Sequence, residues 1–411
     1  MREPTIAAAV ESVTKAWSKQ RKREEREYSA HLNRRRALTR QERTVTVKDA
    51  AWTIMGAAYL KASANGTLPA HARQIMYAAR PYVQETATRE LGSRFDQYFT
   101  QTLLPEYIEA ERVAWNVVYD ARGHFHEPHT GREVPLGTLD VRDYLRGIDS
   151  HRPGALGFRL AEEHFPTFGP RHRYGALLFI EKEGFMPLFE AVNLGERYDL
   201  AIMSTKGMSV TAARQLAEEL CGPHGIPLLV LHDFDKSGFS IAGTLQRDTR
   251  RYTFSHEFEV HDLGLRLADI DGLETEEVLH KADHIAVAEN LRENGATEEE
   301  IGLLLSQRVE LNALASDELV AFIERKLTAL KIGKVVPDAA TLGAACERAR
   351  TTAIVNRKLG PLIHEATLEA ARQPAVPNLA LRVEALLKSE PALSWDAAIA
   401  GIVEEVDRDA G

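Results

Sequence analysis

Two short acidic motifs, Phe179-Ile180-Glu181-Lys182-Glu183-Gly184 and His232-Asp233-Phe234-Asp235-Lys236-Ser237-Gly238, each close an apolar run. A carboxylate just past one buried strand, answered by an Asp-x-Asp pair past a later strand, suits a Mg²⁺ site on the rim of a sheet. Mg²⁺ takes one or two carboxylates and fills its remaining positions with waters and substrate phosphates. The chemistry expected of Glu181, Asp233 and Asp235 is therefore metal-dependent work on phosphodiesters, with Mn²⁺ able to replace Mg²⁺. The structural alternative is that Asp233 and Asp235 cap the helix beginning near Ser237 and that Glu181 is a surface acid.

The elements that must position these acids follow from the apolar pattern. From Tyr174 onward, apolar runs too short for helices alternate with longer amphipathic stretches. Strands are expected at Tyr174 to Ile180, Tyr198 to Met203, Ile226 to Leu231 and Glu257 to Asp262. Helices are expected at Met186 to Leu194, Val210 to Cys221 and Ser240 to Arg247. Strands apolar along their length are covered on both faces, which makes this a parallel α/β sheet with right-handed crossovers. Ligands of such sheets sit beyond the carboxyl ends of the strands, where all three acids fall.

Glu181 with Gly184, then Thr205-Lys206-Gly207, then Asp233-x-Asp235-x-x-Gly238 resembles the Toprim domain of topoisomerases, primases and related nucleases. Within that superfamily the Glu-Lys-Glu-Gly-Phe and Lys-Gly wording is similar to the A subunit of type IIB topoisomerases, including the meiotic double-strand-break proteins and the stand-alone Mini-A group. The resemblance implies that Glu181 is the acid/base or metal-binding glutamate, with Glu183 as the alternative, and that Asp233 and Asp235 are Mg²⁺ ligands. One departure is Lys236, where the type IIB A subunits usually have Pro. A cation there would contact a phosphate or partly neutralise the acids, and Lys206 is a further expected DNA contact.

A topoisomerase-type reaction also needs a nucleophile that keeps the broken end, and a tyrosine suits it because its phenolate leaves readily on religation. In the segment from Asn65 to Pro81, Asn65-Gly66 makes a turn, Thr67 can cap, Pro69 suits a first helical turn and Pro81 ends the helix. Arg73, Tyr77 and Arg80 then share one face, which places guanidiniums beside a phenol. Together with a preceding helix at about Val47 to Ser63 and a hairpin-like wing at Asn116 to Leu136, this resembles the winged-helix domain of type IIB A subunits. Their catalytic tyrosine lies in an Arg-x-Ile-Tyr-Tyr-like motif, matched here by Arg73-Gln74-Ile75-Met76-Tyr77, with Met76 in place of the first Tyr. The resemblance implies that Tyr77 is the nucleophile and that Arg73 and Arg80 stabilise the transferring phosphate.

The net charge of −9 divides unevenly. Residues 1–50 carry thirteen Lys/Arg against seven Asp/Glu, concentrated in Arg21-Lys22-Arg23 and Arg34-Arg35-Arg36. Such an arm either neutralises DNA phosphates or forms a solvated charged helix. His124, His126 and His129 are expected at a wing tip meeting the DNA backbone, a metal site being the alternative that Pro128 works against by breaking the strand before His129. Two cysteines, Cys221 and Cys346, without Cys-x-x-Cys spacing exclude a zinc module or disulfide framework, and Cys221 is expected in packing. No run of eighteen apolar residues and no signal peptide are seen, so a cytoplasmic, nucleoid location and no membrane association are expected.

The expected architecture is thus a basic arm (1–44), a winged-helix domain (45–150), a Toprim domain (151–330) and a helical extension (331–411) whose helices are separated by Pro337, Pro361, Pro374, Pro377 and Pro391. The expected partner is double-stranded DNA, cut by a homodimer. No Gly-x-x-x-x-Gly-Lys-Ser/Thr loop is found, so any ATPase would be a separate B-like subunit. Two other readings remain: a Toprim nuclease of a plasmid-defence system, which uses water instead of tyrosine, and a non-catalytic DNA-binding protein.

Overall fold

A computed structural model describes residues 20, 23, 26, 44–92, 94–119, 123–150, 170–204, 211–248, 252–278 and 283–410. Two compact units result, Met1–Asn116 with Asn312–Glu318, and Val117–Leu311 with Leu319–Gly411.

The first unit is built on helices α1 (Val47–Ala62) and α2 (Ala72–Thr86). Thr46 and Asp49 form a reciprocal cap at the start of α1, which satisfies two of the backbone N–H groups that a helix start leaves open. Ala64, Asn65 and Gly66 all take positive φ in the turn between the helices, as the Asn-Gly pair leads one to expect. Helix α2 differs from expectation at both ends. His71, not Thr67, is its N-cap, and Pro81 lies inside the helix, which runs on to Thr86. A proline here removes only the bond to the Tyr77 carbonyl, while Val83 beyond it is fully buried and holds the last turn. Tertiary packing outweighs the local helix-stop signal.

The second unit begins with an antiparallel hairpin of β1 (His124–His126) and β2 (Glu133–Pro135), in the segment expected as a wing. Its main sheet has four parallel strands: β3 (Ala176–Ile180), β4 (Leu200–Ser204), β5 (Leu228–Leu231) and β6 (Val260–Gly264), in the order β4-β3-β5-β6. All four expected strands exist, each starting later than expected. Tyr198, for example, ends a short helix before β4. Every residue of β3 and β5 is buried. Leu177, Phe179, Leu228 and Val230 pack with Ala217, Cys221, Ile241 and Leu245 from helices α3 (Thr211–Cys221) and α4 (Lys236–Thr244) and the residue that follows α4. Burial of Cys221 pushes its thiol pKa up to about 12, in keeping with a packing role.

The pairing register aligns the carboxyl ends of all four strands: Ile180 faces both Ser204 and Leu231, and Leu231 faces Gly264. The residues just past these positions therefore share one sheet edge. In the extension, Pro361 does not separate helices as expected but lies within the helix Ala339–Ala370, followed by Leu379–Ser389 and Trp395–Ala410. No helix among the described residues is long and apolar enough to cross a membrane.

Candidate functional site

Glu181 follows β3 directly, and Asp233 and Asp235 follow β5, so the sheet register brings all three to one edge. Burial, then the charges of Asp233 and Asp235, raise the Glu181 pKa to about 7. Its Oε2 is buried without a hydrogen-bond partner. Asp235 is also pushed up, by burial first and then by Asp233. Glu181 and Asp235, each with raised proton affinity beside the charge of Asp233, mark an edge short of positive charge.

Asp233 and Asp235 each have a structural tie as well. Asp235 is the N-cap of α4, its Oδ1 accepting from the Gly238 N–H at 2.7 Å. The capping role weighed for the Asp-x-Asp pair is therefore real for Asp235, alongside its place at the edge. Gly238 is needed for this turn, since a Cβ there would lie 2.2 Å from the Asp233 carbonyl oxygen and 2.6 Å from His232 Nδ1. Asp233 Oδ1 accepts from the Leu311 N–H at 2.7 Å, and its Oδ2 lies 2.7 Å from Lys182 Nζ. Lys182 also reaches Glu310 Oε2 at 2.9 Å. Burial opposes the Lys182 charge, but Asp233 and Glu310 overcome it and hold its pKa above the ordinary lysine value.

Behind the edge, His232 is fully buried, with Nδ1 2.7 Å from the Asp233 carbonyl oxygen and Nε2 3.0 Å from Asp262 Oδ1. Both neighbours are acceptors, so the ring donates twice when it carries both protons. Burial works against that charge, and Asp262 and the Asp233 carbonyl raise the pKa in spite of it. Arg266 continues the chain of contacts, 2.9 Å from Asp262 and 2.6 Å from Glu300.

Lys182, Glu310 and His232 were not singled out from the sequence as site residues. Lys182 sits within the recognised motif, and Glu310 within Arg308-Val309-Glu310, so their positions were visible but their pairing was not. Lys236, which was singled out, opens α4 and lines a cleft of about 220 Å³ with Asp235, Ser237, Gln307 and Arg308. Glu183 instead lines a different pocket of about 180 Å³ with Tyr119, Asp140 and Glu190. Lys206 lies outside the described residues, as do Arg21, Lys22, Arg34, Arg35 and Arg36; Arg23 is helical and exposed. His124 and His126 face Glu133, at 3.4 and 3.9 Å.

Tyr77, in the first unit, is only 4% exposed, on the face of α2 that also buries Ile75, Met76 and Ala79. Arg73, four residues before it, lies 3.9 Å from Asp96.

Among the described residues no group of three or more His, Cys, Asp or Glu converges as a ready ligand set for a metal. The donors at the edge nonetheless fit Mg²⁺ in kind. They are all hard carboxylate oxygens, and one of them, Glu181 Oε2, is buried without a partner.

A parallel sheet of this order, with a Glu past one strand and an Asp-x-Asp-x-x-Gly past the next, defines a Toprim-type domain. Residues 176–331 match the Toprim-domain family of Spo11 and the topoisomerase 6 A subunit. The chain thus carries a Toprim domain similar to that of the topoisomerase VI A/Spo11 proteins. No curated protein matches it.

Proposed function

We propose that this protein cleaves double-stranded DNA in a Mg²⁺-dependent transesterification, in the manner of the type IIB topoisomerase A subunits. The observation that carries this reading is the matched Toprim domain with its electron-rich edge of Glu181, Asp233 and Asp235. These residues would hold Mg²⁺ or Mn²⁺, which when bound supplies positive charge to the phosphate oxygens.

Tyr77 is the nucleophile in this reading. Its phenol oxygen bonds to a backbone phosphorus while the bond to the 3′ oxygen breaks. The phenol proton is given up and the 3′ oxygen leaves as a hydroxyl, so that a 5′-phosphotyrosyl linkage remains. Arg73 and Arg80 stabilise the charge on the phosphate. Should Asp233 and Asp235 alone hold the metal, Glu181, whose proton affinity burial raises, is placed to move these protons instead. Because Tyr77 is buried, DNA binding must uncover it. By analogy with the family, Tyr77 of one subunit serves the acids of its partner in a homodimer, and a separate B-like ATPase would power strand passage. Lys206, Lys236 and the basic residues Arg21, Lys22, Arg23, Arg34, Arg35 and Arg36 contribute phosphate contacts.

The burial of Tyr77 also favours a second reading, hydrolysis by water at the same acids, as in Toprim nucleases. The two separate in one experiment. Supercoiled plasmid is incubated with the protein and Mg²⁺ or Mn²⁺, quenched with denaturant and tested for protein attached to 5′ ends. Adducts in the wild type that vanish in both Tyr77→Phe and Asp233→Ala support transesterification. Free linear product that persists in Tyr77→Phe assigns the protein to the hydrolytic nucleases, and no cutting under any condition overturns both.

A further inference from the structure

The carboxylates at the sheet edge number four once Glu310 is included, and a side chain of this same chain already meets two of them. Lys182 Nζ bridges Asp233 Oδ2 at 2.7 Å and Glu310 Oε2 at 2.9 Å. The side chains of Asp233 and Glu310 are only 6% and 4% exposed, and that of Lys182 is 21% exposed. The bridge is held from behind: Phe234 and Val309 exchange backbone hydrogen bonds at 2.8 and 3.0 Å, and the Leu311 N–H holds the other oxygen of Asp233. These bonds fix Asp233 and Glu310 side by side. Withdrawing Lys182 would leave Asp233 and Glu310 adjacent and nearly dry, with Glu310 still 3.4 Å from Arg308 but Asp233 stripped of the Lys182 cation, which is costly for a buried charge.

Both oxygens of Asp233 are therefore engaged, whereas Glu181 keeps a buried oxygen without a partner. We infer that Lys182 is a built-in counter-cation that takes the place a second divalent ion would occupy, so that the edge binds one divalent ion, at Glu181 and Asp235, with Asp233 shared between that ion and Lys182. This rests on the reading of the edge as a metal site. Lys182 is a positioning residue here: it fixes Asp233 and Glu310 and sets the number of ions.

Mn²⁺ titration of the full-length protein, followed by electron paramagnetic resonance of free and bound Mn²⁺, tests it without reference to cleavage. One ion per chain is expected for the wild type, with the spectrum of isolated Mn²⁺ even at excess metal. Lys182→Arg keeps the cation and should remain at one. Lys182→Met, close in length but uncharged, should bind two. A spin-coupled Mn²⁺ pair in the wild type overturns the inference and needs no variant to fold; so does a folded Lys182→Met that still binds one ion. Two ions in the wild type would leave the metal-site reading standing and sink only the role of Lys182, whereas no bound Mn²⁺ at all would sink both.

Discussion

Glu181 combines a disfavoured ionisation with a position at the acidic sheet edge, and the first can be followed by pH. Its folded pKa of about 7 lies above the ordinary 4.5. Above 4.5 the unfolded chain ionises while the folded chain still holds its proton, so stability falls as pH rises and the loss is complete once pH passes 7. Without added metal, Glu181→Gln should therefore raise stability by about 1–2 kcal/mol at mildly alkaline pH, after allowance for partial solvent access, and by little near pH 5. Denaturant titrations at the two pH values check this, and an equal effect at both would refute it. Gly238→Ala is expected to act in the other direction. A Cβ 2.2 Å from the Asp233 carbonyl must displace the turn that carries the acids, at a cost of about 2 kcal/mol or more, and cleavage should be lost with it. In this group of residues the carboxylates were legible because each ends an apolar run. The spacing also points to Lys236 as a cation that contacts a phosphate or partly neutralises these acids; the ion pair to Asp233 itself is made by Lys182.

Helix α4 gives Asp235 two duties, and two substitutions divide them. Asp235→Asn keeps a side-chain oxygen that can accept from Gly238 but lacks the charge, so its thermal stability should match the wild type while metal-dependent cleavage falls. Asp235→Ala should lose cleavage and about 1 kcal/mol of stability as well. Helix α2 makes a different case. Pro81 is exposed, has no N–H to give to the helix ladder and is a poor residue for a helix interior. Pro81→Ala should therefore stabilise the protein by about 1–2 kcal/mol, after subtracting the freedom that the unfolded chain gains. Denaturant unfolding measures it; a destabilised variant would mean that Pro81 is held by contacts beyond the helix. The strands were legible because they are short, apolar and bounded by turns. The run of α2 through Pro81 was not, because buried Val83 stabilises the turn that the local rule would end.

Taken as a whole, the protein is expected to work as a pair of chains, and mixing inactive variants tests it. Tyr77→Phe and Asp233→Ala should each be inactive alone. Mixed and allowed to exchange protomers, they should recover DNA nicking, because one shared site per dimer would hold both an intact Tyr77 and an intact Asp233. No recovery, despite proven exchange, would mean that each chain uses its own tyrosine or none. The sequence alone determined the local features of this protein: carboxylates at strand ends, a parallel sheet inferred from continuous apolar strands, and Gly238 beside a capping acid. Each depends on spacing or backbone geometry within a few residues. The tertiary structure decided what meets those groups. Glu310 lies 128 positions from Lys182 along the chain, and their contact exists only because Val309 pairs with Phe234. Tyr77 lies on an amphipathic helix, whose pattern says that one face is buried but not how deeply an aromatic beside that face sinks. Charge pairing and burial depend on distances between segments remote in sequence, and folding alone sets those distances.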